Sequence, residues 1–147
     1  MKTAKLFASI LLLTALFLST TTAAEKIIAG PKGGRILEST SPHAEFFVEK
    51  SRTVTVTFYD TNLKPIPAAN QSVSVVAEPK SGKARIEFEK KGDVLVSKTP
   101  LPEGDGYKLT VLYKSAPDAK SQNFRFDYDT GTCGGCKRSE YACTCGH

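Results

Sequence analysis

Cysteine is missing from the first 132 residues, histidine occurs only as His43 and His147, and after residue 24 there is no long apolar run and almost no helical periodicity. Each shortage excludes something. No disulfide can cross the body of the chain, so its core must form without that staple. Two histidines, with no Ser-His pair and no paired carboxylates, do not supply a nucleophile, a base and an orienting group, so an enzyme is not expected. No later segment approaches the roughly 20 apolar residues of a transmembrane helix. Lys and Arg are mixed with Asp and Glu throughout, so the formal charge of +5 builds no nucleic-acid-binding face and serves mainly solubility.

The N-terminus carries Lys2 and Lys5, then the apolar run Leu6 to Leu18, then small polar residues from Ser19 to Ala24. That order predicts a secretory signal peptide over residues 1–24, with Thr22 and Ala24 suiting a cleavage site. No cysteine follows the apolar run closely, which argues against a lipid anchor. The expectation is an exported, periplasmic protein with no membrane span once the signal is removed. Cleavage leaves 123 of the 147 residues and lowers the formal charge to +3, because Lys2 and Lys5 are lost. One domain with a real core fits that length.

Between residues 44 and 130 short runs alternate apolar and polar residues and end in turn formers, the mark of half-buried strands. Arg52 to Tyr59 is the clearest: Val54, Val56 and Phe58 share one face, and three threonines share the other. The pattern returns at Val73 and Val75, at Ile86 and Phe88, at Leu109, Val111 and Tyr113, and at Phe124, Phe126 and Tyr128. Ala44 to Glu49 and Asp93 to Lys98 complete about seven strands. Glu87 and Glu89 fall on a solvated face. Turns are expected at 60–65, 79–82, 91–93 and 102–106, where Gly, Pro, Asn or Asp recur. At most, Arg138 to Ala142 makes one helical turn. The fold class is all-β, an immunoglobulin-like antiparallel β-sandwich at 44–130, with an N-terminal arm at 25–43 and a cysteine-rich tail at 131–147.

All the cysteines lie in that tail, as Cys133-Gly134-Gly135-Cys136 and Cys143-Thr144-Cys145, with His147 last. Cys-Gly-Gly-Cys has zinc-knuckle spacing, in which the glycines let backbone amides turn toward sulfur, and four thiolates close a tetrahedral site. The Cys-x-Cys pair suits copper(I) and other thiophilic ions. Zinc and copper both fit, and His147 is a further candidate ligand that could replace one sulfur. Lys137 and Arg138 would lower the neighbouring thiol pKa values. Two other readings stand beside the metal. Two disulfides would have to cross between the pairs, because Cys143 and Cys145 are too close to bridge each other easily; a redox dithiol at Cys133 and Cys136 lacks the alternating strand and helix pattern of thioredoxin-like proteins.

Gly30-Pro31-Lys32-Gly33-Gly34-Arg35-Ile36-Leu37 resembles the start of the small β-domain found in periplasmic adaptor proteins of heavy-metal efflux pumps, and Lys64-Pro65-Ile66 fits the same domain. The chain is also similar, over most of residues 29–145, to small exported bacterial proteins that join such a domain to a cysteine-rich tail ending in Glu-Tyr-x-Cys-Thr-Cys, here Glu140 to Cys145. The adaptors often carry histidine where this chain has Lys32, which leaves His43 as the remaining candidate ligand near the N-terminus. The resemblance implies metal homeostasis, with a metal ion and an efflux-system component as partners. Two functions are therefore expected to compete: an accessory or carrier that binds metal through Cys133, Cys136, Cys143 and Cys145, and a structural or interaction module whose tail is stapled by two disulfides.

Overall fold

The computed structural model describes residues 27–37 and 41–146; the expected signal peptide and His147 lie outside the described residues. Ten strands are present among them: β1 (Ile28–Ala29), β2 (Arg35–Ile36), β3 (His43–Val48), β4 (Val54–Tyr59), β5 (Pro65–Ile66), β6 (Ser72–Glu78), β7 (Ala84–Lys91), β8 (Val94–Ser97), β9 (Tyr107–Lys114) and β10 (Gln122–Tyr128). The seven expected strands are β3, β4 and β6 to β10. Described helix is confined to one 3-10 turn, Glu140–Ala142, inside the segment expected to make a turn.

Every pairing is antiparallel, along the path β1-β2-β3-β4-β8-β7-β6-β9-β10, with β5 beside β4. The strands form one curled half-barrel where the sequence reading expects an immunoglobulin-like sandwich of two sheets. Strand β7 shows why. Its first half, Ala84 to Glu87, pairs with β6, and its second half, Phe88 to Lys91, pairs with β8. A single long strand thus carries the ladder from one half of the molecule into the other, and neither half gains a separate edge there.

The alternating apolar residues of β6, β9 and β10 are buried, as a side-chain period of two requires. Val75 and Val111 are opposite each other in the ladder, as are Val111 and Phe124, and all are buried. Phe46 meets Phe126 edge-on at 5.6 Å between ring centroids. Glu87 and Glu89 are exposed and pair with Lys98 and Lys91.

Strand β4 departs from the expectation of one solvated face. All six of its residues are buried, Thr55 and Thr57 included. It lies between β3 on one side and β5 and β8 on the other, and Lys32 of the arm with Pro65, Ile66 and Pro67 lines the cleft that Thr57 faces. Of the two covered threonines, Thr55 bonds locally, donating to the Glu49 carboxylate at 3.4 Å, whereas the buried Thr57 hydroxyl makes no such bond among the described residues.

Candidate metal centre

After β10 the chain makes a tight loop. The Asp129 carboxylate accepts the Gly131 N–H at 2.8 Å, Thr132 bridges to Ser139, and the Cys133 N–H reaches the Arg138 carbonyl at 2.8 Å. The Lys137 N–H returns to the Cys133 carbonyl at 3.0 Å, which closes the Cys133-to-Cys136 turn. Lys137 takes a left-handed φ of 60° to do so. The 3-10 turn then brings Cys143 and Cys145 back over the same turn, with the Cys143 N–H on the Glu140 carbonyl at 3.0 Å.

The four sulfurs converge. Cys133 Sγ lies 3.1 Å from Cys143 Sγ and 3.6 Å from Cys145 Sγ, and Cys136 Sγ lies 3.7 Å from Cys143 Sγ. All four lie within 4.8 Å of one another, a set that could hold a metal ion. For zinc–sulfur bonds of about 2.3 Å, a regular tetrahedron has sulfur–sulfur edges of about 3.8 Å. All four residues are thiols, and Cys133 and Cys143 are 0% and 4% exposed.

Gly135 makes room for this approach. A Cβ there would stand 2.8 Å from Cys145 Sγ and 3.9 Å from Cys133 Sγ, whereas one on Gly134 would meet nothing within 4 Å. The two glycines of the motif thus differ in role, a distinction the spacing alone does not reveal.

Backbone amides point at sulfur, as a knuckle requires. The Cys145 N–H donates to Cys143 Sγ at 3.4 Å. The backbone N–H of Thr144, and after it that of Arg138, draws the Cys136 thiol below its ordinary pKa. Cys143 goes the other way: the Cys145 N–H favours its thiolate, but contact with the Cys133 thiol, burial and the Cys136 thiol outweigh it and push the group up to about 12. Contact with the Cys133 thiol raises Cys145 as well. Without a cation these thiols cannot all ionise together, because like charges at such separations repel; a bound cation reverses the balance. Arg138 was expected to act through its charge. Its backbone N–H does the work instead, and its guanidinium donates to the Gly30 carbonyl at 3.3 Å.

His43 stands at the start of β3, half-buried and opposite Tyr59, outside the cluster of four sulfurs. Two residues that sequence reasoning missed tie the site to the fold. The first is Glu45, 0% exposed, whose carboxylate accepts the Gly34 N–H at 2.8 Å, the Lys32 N–H at 2.9 Å and the Tyr59 hydroxyl at 2.6 Å. Burial, and then this bond to Glu45, raises the Tyr59 hydroxyl above its ordinary pKa. Gly30 and Gly34 pass so close to Glu45 and to the Phe46 carbonyl that side chains there would collide. An acid in the middle of an otherwise apolar strand was the available signal. The second is Tyr141, 5% exposed, whose hydroxyl accepts the Val48 N–H at 3.1 Å. Tyr141 and Ala142 belong to the main core cluster, so residues 131–147 are less of an appendage than the sequence suggests.

No protein-family model matches the chain, no curated protein matches it, and no solved structure does.

Proposed function

We propose that this protein is an exported, periplasmic, non-enzymatic metal-binding protein that holds one thiophilic ion through Cys133, Cys136, Cys143 and Cys145. It serves as an accessory or carrier in zinc or copper homeostasis or efflux, with an efflux-system component as its protein partner. The carrying observation is the convergence of four sulfurs to within 4.8 Å of one another. The separations of 3.1 to 3.7 Å, in a set that stays within 4.8 Å, suit a four-thiolate site for zinc or for another thiophilic ion such as copper(I). The motifs at Gly30 to Leu37 and Glu140 to Cys145 support the link to metal efflux.

Native mass spectrometry of protein purified from its export compartment, without reductant or chelator, tests the reading. The native mass is expected to exceed the acid-denatured mass by one metal ion, with four thiols recovered after acid. A denatured mass lighter by four hydrogens, with no metal, would mean two disulfides and would replace this function with that of a stapled interaction module.

A further inference from the structure

The half-barrel has two lateral edges, one at β1, β2 and β3 and the other at β10, and no strand ladder among the described residues joins them. Strand β2 pairs with β3 only through Phe46 and Glu45, so β3 runs on past it toward Val48. Tyr141 spans the seam. Its hydroxyl accepts from Val48 of β3, and its ring packs against Phe46 of β3 at 6.4 Å and against Phe126 and Tyr128 of β10 at 6.5 and 6.2 Å. Arg138 makes a second crossing, from the cysteine loop to the Gly30 carbonyl.

Phe46 on Phe126 and Arg35 over the Phe126 ring cross the seam as well, but Tyr141 and Arg138 are the crossings that lie between the two cysteine pairs. Tyr141 is two positions before Cys143, whose sulfur is 3.1 Å from that of Cys133. Whatever fixes Cys143 against Cys133 and Cys136 therefore fixes Tyr141 across the seam.

We infer that the cysteine cluster is a metal-operated latch on this seam. The inference rests on the metal-binding reading above and adds what occupancy does to the rest of the molecule. With an ion bound, the loop from Cys133 to Cys145 is closed and Tyr141 stays seated. Without it, Tyr141 is held by the Val48 bond to its hydroxyl, its own N–H on the Asp129 carbonyl at 2.9 Å and its ring contacts, on a loop that gains conformational entropy when it leaves. Departure uncovers the aromatic wall of Phe46, Phe126 and Tyr128, so metal status becomes the exposure of an apolar surface. The coupling runs both ways: the factor by which the ion favours a closed seam is the factor by which a seated Tyr141 tightens the ion.

The test is amide hydrogen exchange on the reduced, full exported protein, stripped with chelator and then given one equivalent of zinc. Exchange at Val48 is expected to slow by about tenfold or more on zinc addition, and that at Val75 and Val111, inside the β6–β9 ladder, by less. Tyr141→Phe keeps the ring and removes the acceptor; it should leave Val48 unprotected with or without zinc and weaken zinc binding severalfold. Tyr141→Ala should weaken it by about the factor seen in Val48 protection. If zinc binds but Val48 exchange and the affinities of both variants are unchanged, the latch is wrong and the metal site stands. If the unaltered protein takes up no zinc, the metal-binding reading fails and the latch falls with it.

Discussion

Adding one methyl group at Gly135 should disable the metal centre, while the same change one residue earlier should not. Neither Gly134 nor Gly135 has a positive φ, so alanine strains the backbone at neither position. Both substitutions alter the unfolded chain alike, and the difference between them isolates the contact. The new Cβ at 135 would stand 2.8 Å from Cys145 Sγ, and at 134 it would meet nothing. Retreat to an ordinary contact moves the sulfur by at least about 0.6 Å, three times the tolerance of roughly 0.2 Å on a metal–ligand bond. Cys145 is exposed, so its sulfur yields before the fold does. Gly135→Ala is therefore expected to weaken zinc binding by about 10- to 100-fold, or ~1.4–2.8 kcal/mol, with metal-free stability changed by less than about 0.5 kcal/mol. Competition against a chromophoric chelator gives the affinities, and urea unfolding of the metal-free proteins gives the stabilities. Equal affinities for the two variants would refute the assignment of Cys145 as a ligand packed over Gly135.

Three further outcomes are expected. Zinc affinity should fall as pH falls, because crowding keeps Cys143 and Cys145 above their ordinary pKa values and binding must displace their protons; the loss is about tenfold per pH unit for each proton displaced, and a flat profile in chelator competition would argue against thiol ligands. Glu45→Gln keeps the shape but turns an amide NH2 toward groups that need an acceptor, so it should destabilise the fold by about 1–3 kcal/mol in urea unfolding, and a neutral result would mean that Glu45 does not anchor the arm. Lys137→Gly should stabilise the metal-loaded protein by about 1 kcal/mol in thermal unfolding, the left-handed penalty of roughly 1–2 kcal/mol less the backbone entropy of glycine; Lys137→Val should do the reverse.

What could be read from the chain was local. Alternation placed five of the seven long strands, because a side-chain period of two is written into each run and needs no distant partner, and the apolar runs at Ala44 to Glu49 and Asp93 to Lys98 supplied the other two. The cysteine cluster was legible for the same reason: its sulfurs are separated by at most twelve positions and meet through short turns. The short strands β1, β2 and β5 carry too few residues to show any period. Tertiary structure alone decided the rest. It made β7 shared between two partners, and so curled the strands into a half-barrel. It buried Glu45 by folding the Gly30 to Gly34 turn over it, and it seated Tyr141 on Val48, 93 positions away. Such contacts depend on which edges the curl brings face to face. A residue's own neighbours in sequence carry no record of that, so the tail read as separable from the core when its aromatic side chain is part of it.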